Sequence, residues 1–123
     1  MSVFVAFEGG EGSGKSTQSK LLYERIIAEG FSSLLLHEPG GTSVGEEVRR
    51  ILLAERGATG KKSSRSKNST MNSLTELLLF SSARSELIEK VIKPNLEKDT
   101  IIICDRFIAS TIAAICEKKK LNL

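Results

Sequence analysis

The feature that most constrains the fold is the segment GGEGSGKST at residues 9–17, which separates two apolar stretches. Before it, VFVAFE (residues 3–8) is rich in β-branched and aromatic residues with little alternation, as in a strand covered on both faces of a parallel sheet. After it, apolar side chains recur at helical spacing over residues 17–29, and Gly30 supplies a helix stop. A glycine-rich turn between a buried strand and a helix predicts an α/β fold built on a parallel sheet.

The glycine-rich segment matches the P-loop pattern G-x-x-x-x-G-K-[S/T], with the preceding strand and following helix that the pattern requires. Its glycines allow a tight turn whose backbone N–H groups, with the helix N-terminus, form a nest for phosphate oxygens. Lys15 would place a cation against the β- and γ-phosphates, and the Ser16 hydroxyl would ligate Mg²⁺. A turn that merely caps the helix is the alternative. The pattern predicts nucleoside-triphosphate binding by Gly9, Gly10, Glu11, Gly12, Ser13, Gly14, Lys15, Ser16 and Thr17.

The rest of the chain continues the alternation of strands and helices. Residues 32–37 (SSLLLH) and 100–104 (TIIIC) are short apolar runs that predict two more strands. The resulting order, β-α-β-α-α-β-α, indicates a single domain over residues 1–123. Residues 56–70 are rich in Gly, Ser and Lys without periodicity, which predicts a flexible loop.

Capping signals predict where the later helices begin. Thr42 or the serine after it can cap the second helix, and the motif S-x-x-E at residues 43–46 forms a capping box. The same motif at residues 73–76 precedes a helix that runs to about residue 93, where Pro94 ends it or opens a short new turn. Residues 107–116 predict a last helix.

Asp105 and Arg106 follow the third predicted strand directly. The carboxyl ends of strands form the edge of a parallel sheet where ligands bind. At that edge Asp105 could hold Mg²⁺ or its waters, and Arg106 could neutralise charge on a transferring phosphoryl group. A structural ion pair is the alternative interpretation of the two residues.

Two other groups of side chains could contact an acceptor substrate. Glu76, Phe80 and Arg84 are spaced by four residues and share one helix face. An aromatic ring beside a guanidinium can stack on a flat base and hydrogen-bond it, although Glu76 could instead cap its helix and Phe80 could pack in the core. Arg49 and Arg50 offer one side chain to a phosphate and one to solvent, and the spacing does not say which is which.

Composition narrows the classes of function. The net charge of +3 suits a small anionic ligand such as a nucleotide and is too weak and dispersed to indicate nucleic-acid binding. No apolar run approaches the length needed to cross a membrane. Cys104 and Cys116 form no CxxC motif, and they predict buried free thiols of a reducing, cytoplasmic environment. His37 has no Cys or His neighbour, so we interpret it as a structural or surface residue.

Four motifs, FEGGEGSGKST, HEPGGTSVGEEVR, TELLLFSSAR and DRFIAST, occur in the order and approximate spacing found in thymidylate kinases. The chain resembles the bacterial type of this family over about residues 3–113. The resemblance implies a nucleoside-monophosphate-kinase-like parallel sheet with flanking helices. It also implies transfer of the ATP γ-phosphate to dTMP with Mg²⁺, giving dTDP for dTTP biosynthesis, and a possible homodimer.

The resemblance also implies roles for individual residues. Lys15, Asp105 and Arg106 would act in catalysis, and Ser16 and Asp105 would hold the metal. The Glu38–Pro39 peptide bond resembles one that is cis in the family. The dTMP-binding residues would be Glu11, Arg49, Phe80, Arg84, Arg106, Ser110 and Thr111.

The sequence departs from the family pattern in three respects. His37 stands where the family usually has Arg, and Ala114, Ile115 and Cys116 replace a Tyr-Gln-Gly run whose glutamine helps bind dTMP. The family's lid, adenine-contacting loop and two further strands follow the matching part. We therefore expect a sheet truncated to three strands, with the first strand as an edge, and weak or absent kinase activity. Another P-loop kinase of small metabolites, or a non-catalytic nucleotide-binding fragment, are the alternatives.

Overall fold

The computed structural model describes residues 2–10, 12–55 and 71–107. A parallel α/β unit forms from these residues, which confirms the predicted fold class. The predicted loop over residues 56–70 and the predicted helix beyond Phe107 lie outside the described residues. The elements, in chain order, are β1 (Val3–Phe7), α1 (Lys15–Ala28), β2 (Ser33–His37), α2 (Ser43–Glu55), α3 (Ser73–Leu87), a π-helical turn (Ile88–Ile92), α4 (Lys93–Leu96) and β3 (Ile101–Asp105).

The sheet has three parallel strands in the order β1-β3-β2. Phe7 of β1 and His37 of β2 both lie in register with Asp105 of β3. The carboxyl ends of all three strands therefore reach the same edge, which is where ligands bind in such sheets. Within the described ranges β1 pairs on one side only, as expected from the sequence.

The central strand β3 supplies the middle of the core. Ile102, Ile103 and Cys104 are fully buried, which explains why this strand has no polar alternation. Leu36 of β2 and Leu87 of α3 pack in the same cluster as Ile102 and Cys104. The strand that delivers Asp105 to the ligand edge is thus paired with a strand on each side and is also contacted by α1 and α4.

Helix α1 has glycine at both ends. Gly14 lies in the left-handed region with φ 90° and precedes the first residue, Lys15. At the other end the Gly30 N–H donates to the Ile27 carbonyl and the Phe31 N–H donates to the Ile26 carbonyl. This pair of bonds is the Schellman motif that a left-handed glycine permits, and it confirms the predicted helix stop.

The cap of α2 is Thr42, one of the two candidates from the sequence. Its Oγ1 accepts a hydrogen bond of 2.9 Å from the Gly45 N–H. The Glu46 carboxylate accepts from the Gly41 N–H at 3.0 Å, ahead of the cap. The capping box predicted at residues 43–46 does not form, because Thr42 is the cap and its hydroxyl accepts from the third residue of the helix, Gly45.

The cap of helix α3 stands one residue before the position expected from the sequence. Asn72 is the cap, since its side-chain oxygen accepts from the Leu74 N–H at 2.9 Å and from the Thr75 N–H at 3.4 Å. The prediction that Ser73 caps this helix is wrong, because asparagine caps at least as well and stands one residue earlier. Glu76 is buried rather than exposed at the helix start.

The helix predicted to run to residue 93 is instead divided. Alpha-helical bonding ends at Leu87, and the Lys93 N–H donates to the Ile88 carbonyl five residues back. Pro94 then stands in the first turn of α4, where its missing N–H costs no intrahelical bond. The wider turn accommodates the proline ring, which would otherwise collide with the carbonyl four residues before it.

Candidate functional site

The P-loop follows β1 and leads into α1 with a strongly turned backbone. A side-chain carbon added to Gly9 would lie 2.8 Å from the Ser13 hydroxyl oxygen, so this position needs glycine. The Ser13 N–H donates to the Gly10 carbonyl at 3.2 Å, and the Lys15 ammonium donates to the same carbonyl at 3.4 Å. The loop therefore gathers a cation beside the N-terminus of a 14-residue helix, where anions bind favourably.

The P-loop is joined directly to the end of β3. The Ser16 hydroxyl donates to Asp105 Oδ2 at 2.5 Å. The other carboxylate oxygen, Oδ1, is buried and has no hydrogen-bond partner within the described ranges. A buried oxygen of this kind calls for a cation or a water, because burying an unpaired carboxylate oxygen is costly.

The oxygens of Ser16 and Asp105 are the ligand type that Mg²⁺ prefers. In the described parts of the chain no three His, Cys, Asp or Glu side chains cluster as metal ligands. The two oxygens of Ser16 and Asp105 fit Mg²⁺, which usually takes one or two protein oxygens and completes its coordination shell with waters and substrate phosphates. They do not fit a metal that needs a full cage of protein ligands.

A cavity of about 400 Å³ opens at the carboxyl edge of the sheet. It brings together Arg49, Phe80, Asp105 and Arg106, four of the residues that the sequence had singled out. Two guanidinium groups can bind a phosphate, and an aromatic ring can stack on a base. Asp105 also accepts a hydrogen bond from Ser16, so it connects the cavity with the P-loop.

The structure distinguishes between the two neighbouring arginines of α2. Arg49 lines the cavity and donates to the Pro39 carbonyl at 3.2 Å. Arg50 is exposed and pairs with Glu47 on the same helix. Arg49 is thus the arginine that can face a bound phosphate.

Phe80 lies in a position that is compatible with both alternatives from the sequence, core packing and base stacking. It packs against a small cluster of Val48, Leu52 and Ala83, and it also lines the cavity. The packing fixes the ring from one side, so the other side can serve as a rigid platform for a base.

Arg84 does not line this cavity but is bound to Glu38. Its Nε donates to both Glu38 carboxylate oxygens at 3.0 and 2.9 Å, and its Nη2 donates to Oε2 at 2.6 Å. Burial raises the pKa of Glu38 above the ordinary value, while the Arg84 hydrogen bonds and charge oppose the rise. The Arg84 guanidinium carbon also lies 5.1 Å from the centre of the Phe107 ring, within range of a cation–π contact.

Five residues of the cavity wall were not predicted as site residues from the sequence, namely His37, Glu38, Pro39, Leu52 and Leu53. We had interpreted His37 as a structural or surface residue, and it lies in the wall although it is exposed to solvent. Its place at the carboxyl end of a strand was the signal that could have identified it. The Glu38–Pro39 bond beside it is cis, as predicted from the resemblance.

The turn after β3 is held in an uncommon conformation. Arg106 has φ 75°, in the left-handed region that costs a non-glycine residue about 1–2 kcal/mol. Its N–H donates to the Phe7 carbonyl at 3.0 Å, and its carbonyl accepts from the Cys104 thiol at 3.0 Å. Residues held this way occur often at functional sites.

Of the other predicted site residues, Glu11, Ser110 and Thr111 lie outside the described residues.

Comparison with known proteins decides the family. The model of the thymidylate kinase family matches residues 7–122 of the 123 in the chain. The chain belongs to the thymidylate kinase family. The match extends beyond residue 113, where the resemblance in the sequence motifs ended.

Individual thymidylate kinases agree with this assignment. The chain is 48% identical to a relative from Dehalococcoides mccartyi and 47% identical to one from a Roseiflexus species, each over 92% of the chain. It covers 49% and 45% of those proteins, so it spans about half the length of these curated relatives. The crystal structure of thymidylate kinase from Ehrlichia chaffeensis matches with a TM-score of 0.79 and 40% identity, over 98% of this chain and 59% of that one.

None of the helices in the described parts of the chain is long and apolar enough to cross a bilayer.

Proposed function

We propose that this site phosphorylates dTMP to dTDP, with ATP as the phosphoryl donor and Mg²⁺ as the metal. The observation that carries the proposal is the position of Asp105, which bonds to Ser16 of the P-loop and lines the cavity with Arg49 and Phe80. A donor held by the P-loop and an acceptor in the cavity would thus meet at the end of β3.

Within this arrangement Lys15 and the backbone N–H groups of the P-loop would hold the triphosphate. An oxygen of the acceptor phosphate would bond to the γ-phosphorus while the bond between that phosphorus and the ADP oxygen breaks. Arg106 lies where it would offset negative charge on the transferring group, which is the largest contribution a protein makes to such a reaction. No histidine base is needed, since positioning and electrostatics suffice.

Ser16 and Asp105 would hold Mg²⁺ through oxygen contacts. The bound ion would supply positive charge to the phosphate oxygens of ATP. Asp105 Oδ1 supports this assignment, because it is buried and has no hydrogen-bond partner among the described residues.

The walls of the cavity suit a nucleoside monophosphate. Arg49 and Arg106 would bind the acceptor phosphate, and Phe80 with Leu52 and Leu53 forms an apolar wall for the base. From the resemblance we also expect Glu11, Ser110 and Thr111 to contact the acceptor. Arg84 would reach the base from its bond with Glu38, at the margin of the same site.

A direct test is to incubate the purified chain with ATP, Mg²⁺ and each of dTMP, dUMP, dCMP and AMP, and to measure ADP and nucleoside diphosphate by chromatography. We expect dTDP to exceed the other products. Calorimetry should show dTMP binding even where turnover is slow. Lys15→Met should weaken triphosphate binding by about 10- to 100-fold, whereas Lys20→Met on the exposed face of α1 should not.

The results separate binding from catalysis. Absence of dTMP binding, or preference for another monophosphate, would contradict the proposed substrate. Binding of both nucleotides without ADP release would leave a nucleotide-binding protein, and it would remove the catalytic part of the proposal.

We further propose that the protein is cytoplasmic. We also propose that a second copy of the chain packs on α2 and α3. Val44 and Ile51 of α2, and Leu74 and Leu78 of α3, are 42–62% exposed. Apolar side chains exposed together on two adjacent helices favour association. Light scattering should give the mass of a dimer, and Leu78→Glu should give a monomer. A wild-type monomer at micromolar concentration would contradict the proposed dimer.

A further inference from the structure

Glu38 is a buried carboxylate of the cavity wall for which the proposed reaction gives no role. It follows β2 directly and is only 7% exposed. Its backbone N–H donates to the Asp105 carbonyl at 3.4 Å, so it lies beside the end of β3. A charged group so deeply buried is retained only when it is paired, and its partner is Arg84.

The ion pair fixes the guanidinium in one plane. Arg84 meets the carboxylate through both Nε and Nη2, with side-chain exposures of 11% for Arg84 and 4% for Glu38. A bidentate pair adds geometric specificity as well as attraction, because both groups are planar. The orientation of Arg84 is therefore set by Glu38.

Arg84 in turn lies against the ring of Phe107, at 5.1 Å from its centre. The same ring also lies beside Phe4 of β1, at 5.0 Å between ring centres. The Phe107 N–H donates to the Glu8 carboxylate at 2.9 Å. These contacts hold Phe107, which follows Arg106, whose backbone is in the left-handed region.

We propose that Glu38 is a positioning residue of the acceptor site. It holds Arg84 beside the cavity wall and, through the Phe107 ring, holds the turn that carries Asp105 and Arg106. This inference rests on the proposed function, since the role of the turn is to present these side chains to the acceptor.

If the ion pair were purely structural, breaking it would lower the stability of the chain. It would not weaken the binding of one ligand more than that of the other. The test therefore compares two affinities. Glu38→Gln keeps the shape of the side chain and removes its charge. We expect dTMP affinity to fall by about tenfold or more, a loss typical of small misplacements in a site. Measured without Mg²⁺, the affinity for a non-hydrolysable ATP analogue should stay within about twofold of the wild-type value, because the phosphates are then held by Lys15 and the P-loop backbone rather than through Asp105.

Ile92→Ala is the matched control. This side chain is buried in the core at the π-helical turn and lies outside the cavity wall. The substitution should lower the melting temperature comparably while leaving both affinities unchanged. Glu38→Asp should retain more dTMP affinity than Glu38→Gln, because the charge remains.

Breaking one side of a buried ion pair can prevent folding, so a second variant is needed. Phe107→Leu keeps the pair and an apolar side chain but removes the aromatic ring. It should also weaken dTMP more than the ATP analogue. Unchanged dTMP affinity in a folded Glu38→Gln or Phe107→Leu variant would overturn the inference, as would equal losses for both ligands. A wild-type chain that does not bind dTMP would overturn the proposed function, and the inference with it.

Discussion

The Ser16 hydroxyl donates a 2.5 Å hydrogen bond to Asp105 Oδ2, although the two residues are 89 positions apart in the chain. The bond connects the loop that follows β1 with the end of β3. In P-loop enzymes a serine or threonine of the P-loop and an aspartate hold Mg²⁺, and the sequence predicts Ser16 and Asp105 as the metal ligands here. The pairing gives the proposed metal site its two protein oxygens.

Removing the Ser16 hydroxyl or the negative charge of Asp105 should weaken the dependence of nucleotide binding on Mg²⁺. We expect Ser16→Ala and Asp105→Asn each to lower Mg²⁺-dependent ATP affinity by at least about tenfold, the loss typical even of residues that reach a metal through its ligands. Titration of a fluorescent ATP analogue with and without Mg²⁺ measures the effect. Ser82→Ala on the exposed side of α3 is the control. An unchanged Mg²⁺ dependence in both site variants would refute the metal assignment.

Gly41 should be intolerant of any side chain. Its φ is +81°, and an added side-chain carbon would lie 2.7 Å from Leu87 Cδ1 in the core. Strain in the left-handed region and overpacking together predict that Gly41→Ala lowers the free energy of unfolding by about 2–4 kcal/mol. Urea denaturation checks this value. Gly10→Ala, with no atom within 4 Å of the added carbon, should change stability by less than about 0.5 kcal/mol. Equal effects at the two glycines would contradict the packing argument.

The cap of α3 can be identified by a pair of alanine substitutions. Asn72→Ala removes the acceptor of the Leu74 N–H and should lower the free energy of unfolding by about 1 kcal/mol. Ser73→Ala lies inside the first turn, where alanine is the better helix former, and should cost less than half as much. Thermal unfolding followed by circular dichroism separates the two. The reverse order would restore Ser73 as the cap.

Cys104 should behave as an inert thiol in the folded chain. Burial raises its pKa from 9.0 to about 12, with the charges of Glu38 and Asp105 adding to the effect. In a Cys116→Ser background, Ellman's reagent at pH 8 should therefore react only as fast as the chain opens. Rapid reaction without unfolding would show that the thiol is accessible.

The raised pKa of Cys104 also predicts how the stability of the chain changes with pH. Because the folded state raises the thiol pKa, it favours the protonated form, and the stabilisation is fully present below pH 9.0. It is lost as the pH rises toward 12. The free energy of unfolding of the wild type should thus fall more steeply over this window than that of Cys104→Ala, as measured by urea denaturation at several pH values. Parallel curves for the two proteins would contradict the raised pKa.

Much of the fold could be predicted from local pattern. A buried strand restricts which residues fit, so the apolar runs predict β1, β2 and β3. A left-handed turn favours glycine, so the glycines predict where α1 begins and ends. The helix caps were less predictable, because Thr42 and Asn72 compete with serines one residue away and only the hydrogen bonds decide between them. The division of the helix after Leu87 was missed for a similar reason, since helical periodicity does not reveal a π-turn.

The sequence by itself determined the P-loop motif and the residue types of the proposed acceptor site, because those signals are motifs with fixed spacing. Only the tertiary structure decided which side chains meet: Arg49 rather than Arg50 in the cavity, His37 in its wall, and Arg84 bound to Glu38. Arg84 and Glu38 are 46 positions apart, and their contact depends on how α3 packs over the end of β2. Such contacts follow from strand register and side-chain direction across the whole sheet, which no local stretch of sequence encodes.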